Sequence, residues 1–173
     1  MRFNGAVNQQ VALEVELAQA VTVTALVEAL TGEPIDAHDR QHSSTHARAG
    51  NLLGVRAGDV LLRRCAVLRG RNTGRAYLRV ESTIVPGRLP EAFFSALEAS
   101  HEPIGRILAR EKIVFTRTPL APPPPVSPLA PDGSDAPGDH LLARAYRMEV
   151  DDVPVMVVAE WFLAELGPFL QTR

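Results

Sequence analysis

The chain has 173 residues, of which 46% are hydrophobic and 22% charged, and its formal net charge is −2. This length suits one domain with a sizeable core, and we treat residues 1–173 as a single domain. The slight negative charge argues against a nucleic-acid partner. The lack of an apolar run of about 20 residues argues against a membrane partner. The single cysteine, Cys65, excludes an internal disulfide and favours a cytoplasmic location.

The first predicted elements are a helix and an edge strand. Residues 22–30 (TVTALVEAL) show helical apolar spacing, with Thr22 as the N-cap and Gly32 as the C-cap. The following stretch, residues 33–54, is polar and poorly periodic. It predicts an edge strand that runs into a loop.

Three histidines recur every four residues in this polar stretch, at His38, His42 and His46. On one face of a helix this spacing would suit metal ligands. The surroundings are rich in Ser and Thr and have weak apolar periodicity, so a solvated loop is favoured. We therefore expect no metal site here.

A predicted hairpin carries two adjacent arginines. Residues 59–69 (DVLLRRCAVLR) alternate as a strand does, and we expect them to pair with residues 75–86 (RAYLRVESTIVP) across a glycine-containing turn. The alternation puts Arg63 and Arg64 on opposite faces, so one of them has to lie on the more buried side. Sequence parity alone does not say which.

The middle of the chain predicts a helix, a turn, a strand and a flap. Residues 89–100 (LPEAFFSALEAS) form the helix, with proline near its first turn. Residues 102–108 (EPIGRIL) are predicted as a compact turn and residues 111–118 (EKIVFTRT) as a strand. Residues 119–140 hold eight of the fourteen prolines, a composition that predicts a mobile loop or flap.

The last predicted hairpin contains a carboxylate in an apolar strand. Residues 141–150 and 153–163 pair across a turn at 151–152, and both faces of the second strand are apolar around Glu160. An unpaired carboxylate would be costly there. Glu160 therefore needs a cation, a metal or a catalytic role, and a structural ion pair is the alternative. Arg64 is the candidate partner: the two side chains would either bind a carboxylate ligand or neutralise each other.

The order of these segments resembles a known family. LTGEP, LGVRAGDVLLRR, ESTIVPGRLP, EPIGRILARE and ARAYRMEVDDVPVMVVAEWF follow one another along the chain. This series is similar to the chorismate pyruvate-lyase family, in particular the bacterial and archaeal 4-hydroxybenzoate synthases, over roughly residues 21–163. The resemblance implies an α+β fold, namely a six-stranded antiparallel sheet with helices on one side and an enclosed, largely apolar ligand cavity.

The resemblance also implies roles for individual residues. Arg64 would bind the substrate carboxylate, and Glu160 would face the substrate, so both are candidate catalytic residues. The main chain at Ile104 and Gly105 would contact the ligand, and Val23 would line the pocket.

A sixth candidate, Arg106, has two open interpretations. It either supports the turn at EPIGRIL or contacts the ligand. The chain also departs from the family pattern in the proline-rich segment 119–140 and in a shifted spacing between Pro154 and Glu160. Those departures concern the lid of the cavity more than the fold.

The implied function is a carbon–oxygen lyase that eliminates pyruvate from chorismate to give 4-hydroxybenzoate, with secondary metabolism as the expected context. It would need no cofactor or metal, and the protein would be a monomer or weak homodimer. One alternative is an enzyme of the same fold that acts on another biosynthetic substrate, for example a polyketide-like one. Another is a small-ligand sensor without a DNA-binding domain, because the effector (UTRA) domain of a large regulator family shares this fold.

Overall fold

The computed structural model describes residues 3–20, 22–121 and 140–170. These residues form an α+β fold around a six-stranded antiparallel sheet with the strand order β1-β2-β3-β6-β5-β4. The strands are β1 (Ile35–His46), β2 (Val60–Gly70), β3 (Ala76–Ile84), β4 (Thr116–Leu120), β5 (His140–Val150) and β6 (Val153–Leu163). The helices are α1 (Phe3–Gln19), α2 (Val23–Thr31), α3 (Glu91–Ala99) and α4 (Ile104–Arg110), and a 3₁₀ helix spans Ala164–Leu170. None of the described helices is long and apolar enough to cross a bilayer.

The first predicted helix is confirmed together with both of its caps. The Thr22 hydroxyl accepts a hydrogen bond from the backbone N–H of Ala25 at 3.1 Å. Gly32 ends α2 with φ 71°, a left-handed conformation that glycine adopts without a side-chain clash, and its N–H bonds the carbonyl of Glu28. β1 follows at the edge of the sheet, as expected.

Both predicted hairpins are confirmed. β2 pairs with β3, and β5 pairs with β6, each in antiparallel register. The second hairpin turns at Asp151 and Asp152, whose φ angles of 50° and 62° are those of the mirror-image turns that favour hairpins. β6 lies between β3 and β5, so it is the central strand that its apolar faces predicted.

Three expectations for the rest of the chain were wrong or incomplete. α1 was not predicted, because its apolar spacing gives one weak stripe rather than a clear face. The segment expected as a compact turn is instead the helix α4, which buries Ile104, Ile107 and Leu108 at helical spacing. β4 begins only at Thr116, because the N–H of Ile113 still bonds the carbonyl of Leu108 and closes that helix.

The proline-rich segment is partly described. Pro119 and Leu120 end β4, an edge strand in which a missing N–H is tolerated, and His140 begins β5. Residues 122–139 lie outside the described residues, so the flap stays a prediction.

The helices pack on one face of the sheet, over two hydrophobic clusters. One cluster joins α1 and α2 to strand residues such as Leu68, Leu78 and Phe162. The other joins α3 and α4 to strand residues such as Ile84 and Met156. The space between these clusters, still under the helices, holds the polar groups that form the candidate site.

The opposite face of the sheet carries a separate set of contacts. Arg63 and Glu81 form an ion pair there, with both side chains largely buried. Trp161 packs with Ala145 and Ala159 in a small cluster on that face. Arg63 therefore points away from the helices, and Arg64 points toward them.

Candidate ligand-binding site

The polar centre of the site is a row of residues across four strands. Arg64 of β2 lies opposite Ser82 of β3, Ser82 lies opposite Val158 of β6, and Val158 lies opposite Tyr146 of β5. Residues paired in this way share one face of the sheet. Glu160 lies on the same face, two residues further along β6.

A pocket between this row and the helices brings most of the predicted residues together. Its roof is formed by the beginnings of α2 and α4. The lining residues are Thr22, Val23, Thr24, Arg64, Leu68, Leu78, Val80, Ser82, Pro103, Ile104, Gly105, Leu108, Arg117, Tyr146, Met148, Val158 and Glu160. The pocket has about 500 Å³ of unfilled space, its open mouth included.

Arg64 is a buried cation with an unused hydrogen-bonding edge. Its exposed fraction is only 2%, and its Nε and Nη2 atoms have no hydrogen-bond partner in the described part of the chain. Burial, with a smaller contribution from the positive charge of Arg40, lowers the pKa of Arg64 to about 10. The side chain therefore remains charged at neutral pH, and it lacks a carboxylate partner among the described residues.

Glu160 has a cationic partner, but the partner is Arg144 and not Arg64. The Nε of Arg144 donates to Oε2 of Glu160 at 2.6 Å, and the hydroxyl of Tyr146 donates to Oε1 at 2.8 Å. Burial and the nearby charge of Glu160 raise the pKa of Tyr146, so its hydroxyl stays protonated as a donor. These two hydrogen bonds hold Glu160 in one orientation at the pocket wall. Its ion pair with Arg144 is the structural pair that the sequence analysis left open as the alternative.

Two arginines flank the aromatic ring of Tyr146. The guanidinium of Arg117 lies 5.4 Å from the ring centroid, and that of Arg144 lies 5.3 Å from it. Arg117, on the edge strand β4, also lines the pocket. Since Arg64 is on another wall, cationic groups lie on two sides of the same space, which suits a ligand with negative charge.

Gly105 allows α4 to approach α2 closely. A Cβ atom at this position would lie 3.3 Å from Cβ of Thr22 and 3.4 Å from Oγ1 of Thr24, tighter than an ordinary contact. No side chain caps the beginning of α4, where Pro103 is the N-cap residue. Ile104 and Gly105, at the beginning of α4, both line the pocket.

Arg106 lies outside the pocket lining. Its Nη2 donates to the carboxylate of Glu28 and, at 3.2 Å, to the backbone carbonyl of Ile35, and its Nη1 lies 3.7 Å from Asp36. Arg106 therefore connects α4 to α2 and β1. Of its two open interpretations, the structure shows the supporting one.

The three histidines of the polar stretch lie on a strand rather than in a loop. His38 and His42 belong to β1, and together with His101 they border a shallow, open cleft at the sheet edge. Among the described residues, no three His, Cys, Asp or Glu side chains are arranged to hold a metal ion.

Sequence reasoning missed four members of the site or its surroundings: Ser82, Arg117, Arg144 and Tyr146. The signal available was strand alternation in β5, which puts Arg144, Tyr146 and Met148 on one face. Which face that is depends on register, so the alternation alone was not decisive.

Two solved structures share this fold. The effector domain of PhnF from Mycobacterium smegmatis superposes with a TM-score of 0.50 and 18% identity, over 83% of this chain and 89% of that chain. PhnF of the same organism, in another structure, gives a TM-score of 0.51 and 17% identity, over 84% of this chain and 65% of that one. At this identity the likeness shows the fold alone.

The chain is also similar in sequence to a group of enzymes. Chorismate pyruvate-lyases of Mycobacterium tuberculosis and Mycobacterium bovis are 31% identical to the chain over 105 residues, which is 60% of this chain. The match spans about half, 53%, of the length of these curated relatives. No family model matches the chain. The expected resemblance is confirmed: part of the chain is similar in sequence to chorismate pyruvate-lyases, and the chain has the chorismate lyase/UTRA-like fold.

Proposed function

We propose that the protein is a chorismate pyruvate-lyase-like enzyme, which eliminates pyruvate from chorismate to give 4-hydroxybenzoate. The observation that carries this proposal is the unpartnered, buried edge of Arg64 in a pocket shared with Glu160. The sequence match to curated lyases supports the choice of reaction.

Arg64 is proposed to bind the ring carboxylate of the substrate. Nε and Nη2 form the side of a guanidinium that engages both oxygens of a carboxylate at once. The same chain provides an example at its surface, where Nε and Nη2 of Arg71 each donate to one oxygen of Asp36 at 2.8 Å. In the buried pocket this contact is screened less by solvent and contributes more to binding.

Glu160 is proposed to take the proton that is lost as the ring becomes aromatic. The C–H bond at the ring carbon bearing the hydroxyl breaks, its electron pair completes the aromatic ring, and the neighbouring carbon–oxygen bond to the enolpyruvyl group breaks. The departing enolpyruvate gains a proton and becomes pyruvate, so atoms and electrons balance without a cofactor or metal. Arg144 and Tyr146 orient the carboxylate for this step.

The remaining lining suits the rest of the dianion. Arg117 is proposed to face the carboxylate of the enolpyruvyl group, together with backbone amides of Ile104 and Gly105. Val23 contributes an apolar wall for the ring. We further propose that the protein is cytoplasmic and is a monomer or weak homodimer. Its product would be used for biosynthesis in secondary metabolism.

The test is to incubate the purified protein with chorismate and to measure both products. 4-Hydroxybenzoate is quantified by chromatography and pyruvate by a coupled lactate dehydrogenase assay. We expect the two in equal amounts, at a rate that a chelator leaves unchanged. If neither product exceeds the spontaneous decay of chorismate, the lyase proposal is rejected.

A second candidate, a small-ligand sensor, is favoured by the fold of the PhnF effector domain, which aligns over 89% of its length. The sensor proposal predicts saturable binding of an aromatic carboxylate with no turnover of chorismate. A third candidate, an enzyme of the same fold acting on another carboxylate such as a polyketide-like acid, predicts that chorismate is neither bound tightly nor converted.

A further inference from the structure

We propose that the hydroxyl of Ser82 is a second donor to the ligand carboxylate that Arg64 binds, and that it makes the pocket selective for carboxylates. This inference rests on the proposed function, since it concerns the same ligand group. Ser82 would be a binding and specificity residue and would take no part in proton transfer.

The placement of Ser82 supports this role. It is paired directly with Arg64 across β2 and β3, so the two side chains leave the sheet next to each other on the helix-covered face. Its exposed fraction is 1%, and it lines the pocket.

Ser82 and Arg64 share an unusual property. The Oγ of Ser82, like Nε and Nη2 of Arg64, is buried and has no hydrogen-bond partner in the described part of the chain. A buried polar atom without a partner costs free energy, and most such atoms in folded proteins are paired. Ser82 and Arg64 are neighbours, and both line one pocket. A single ligand group that accepts hydrogen bonds from both side chains would remove the cost for both.

A carboxylate matches this arrangement better than a neutral group does. Its two oxygens offer about four acceptor positions, of which the edge of Arg64 uses two and Ser82 uses a third. A carboxamide offers only one acceptor oxygen, and its NH₂ group would meet the donors of Arg64. Ser82 and Arg64 together therefore favour the anion and disfavour its amide.

The test compares Ser82→Ala with the matched control Thr83→Ala. Thr83 is the next residue of β3 and has a hydroxyl on the opposite face of the sheet. The dissociation constants for 4-hydroxybenzoate and for its neutral analogue 4-hydroxybenzamide are measured by calorimetry, and the melting temperature is measured without ligand.

For Ser82→Ala we expect about tenfold weaker binding of 4-hydroxybenzoate, because a hydrogen bond to a charged group is lost. Binding of the amide should be unchanged. The melting temperature of the unliganded protein should not fall, since the removed hydroxyl has no partner there. Thr83→Ala should bind both ligands as the wild type does.

Two results would overturn the inference. One is an unchanged affinity of Ser82→Ala for 4-hydroxybenzoate. The other is an equal loss of affinity for the acid and for the amide, which would mean that Ser82 affects only the shape of the pocket. A wild type that binds neither 4-hydroxybenzoate nor benzoate would overturn it as well.

Chorismate turnover separates this inference from the proposed reaction. If the wild type converts chorismate and Ser82→Ala keeps full affinity, only the role of Ser82 is wrong. If Ser82→Ala loses affinity for the acid and the wild type has no turnover, the role of Ser82 stands and the lyase reaction is wrong. In an active enzyme, Ser82→Ala should raise KM about tenfold and leave kcat nearly unchanged, as expected for an interaction made equally in the ground and transition states.

Discussion

At the scale of single residues, the site is distinguished by buried polar atoms that have no hydrogen-bond partner among the described residues. Arg64 keeps its charge while 98% of its surface is removed from solvent, and its Nε and Nη2 atoms have no hydrogen-bond partner in the described part of the chain. Ion pairs elsewhere in the chain, such as Arg63–Glu81, show that this sheet can neutralise an arginine when the register allows it. A buried arginine without a partner is a cost to folding that binding of an anion removes.

The first prediction concerns Arg64. Replacing it with alanine should weaken binding of 4-hydroxybenzoate by roughly thirtyfold or more, because a desolvated charged contact is typically worth about 2–5 kcal/mol. The measurement is titration calorimetry with the purified variant. Arg63→Ala, which removes the neighbouring arginine on the other face of the sheet, is the matched control. Equal losses in the two variants would mean that the effect comes from folding and not from the carboxylate contact.

The second prediction concerns Glu160. Glu160→Gln keeps the shape of the side chain and removes its basic oxygen, so kcat for chorismate should fall by at least about a hundredfold while the dissociation constant for 4-hydroxybenzoate changes little. Glu81→Gln, in the ion pair on the opposite face, should leave kcat unchanged. Full turnover in Glu160→Gln would assign Glu160 to structure alone, through its pair with Arg144.

At the scale of elements, the β2–β3 hairpin is held by a buried carboxylate. Glu33 accepts hydrogen bonds from the N–H of Asn72 at 2.9 Å, from the N–H and hydroxyl of Thr73 at 3.0 and 2.7 Å, and from the hydroxyl of Tyr77 at 2.8 Å. A Cβ atom on Gly70 would lie 2.1 Å from this carboxylate, so the hairpin requires glycine there. The hairpin carries Arg64 and Ser82, and Glu33 therefore supports the site from a distance.

The third prediction follows from the charge of Glu33. Burial alone would raise the pKa of Glu33, but hydrogen bonds from Thr73, Tyr77 and Asn72 outweigh burial and lower the pKa below its ordinary value of 4.5. Because the folded-state pKa is the lower one, this carboxylate stabilises the fold above about pH 4.5, and the stabilisation is lost as the pH falls through the folded-state pKa. Acidification should therefore reduce the contribution of Glu33 to stability.

Urea unfolding of the wild type and of Glu33→Gln at about pH 7 and about pH 3 tests this expectation. At neutral pH the variant should be less stable by about 1–3 kcal/mol, because the amide cannot accept all of the bonds. The difference should shrink at the acidic pH. A difference that is independent of pH would show that the charge of Glu33 contributes nothing.

At the scale of the whole molecule, the pocket lies where two hydrophobic clusters leave a gap. α1 and α2 cover one part of the sheet face, and α3 and α4 cover another. Polar side chains of the central strands fill the gap in between. The fold thus provides a floor of strands and a roof formed by the beginnings of α2 and α4, with a pocket between them.

The fourth prediction concerns residues 122–139, which separate β4 from β5. The proline-rich composition of this segment predicts too little apolar burial to offset the entropy of ordering. Replacing them with a short Gly/Ser linker should therefore leave the melting temperature nearly unchanged, since loop closure depends only weakly on length. Scanning calorimetry of the two proteins provides the measurement. A large drop in melting temperature would mean that the segment packs against the fold.

The sequence by itself determined the strands, the two hairpins, the capped first helix and the central position of β6. These features follow from local rules: alternation at period two, turn residues and helix caps act between neighbours along the chain. Strand patterning singled out Arg64 and Glu160, and the family resemblance added Val23, Ile104 and Gly105; all five residues line one pocket. Local rules failed for α4, whose short apolar pattern was taken for a turn, and for α1.

Only the tertiary structure decided which charged side chains lie opposite each other in the sheet. A register shift of one residue changes the partner of every residue that follows it along the strand pair. In the first hairpin, Arg69 pairs with Ala76, and continuing that register would have set Arg64 opposite Glu81. A shift between Leu68 and Arg69 sets Arg64 opposite Ser82 instead, away from the carboxylate of Glu81.

The second hairpin shows the same effect. Val150 pairs with Val153, and that register would have set Glu160 opposite Ala143. The shift between Met148 and Glu149 sets Glu160 opposite Arg144, its observed partner. A bulge depends on twist and packing across the whole sheet, which no local pattern in the sequence reports. The sequence therefore predicted most of the strands, and the sheet decided that Glu160 is paired with Arg144 and that Nε and Nη2 of Arg64 have no hydrogen-bond partner among the described residues.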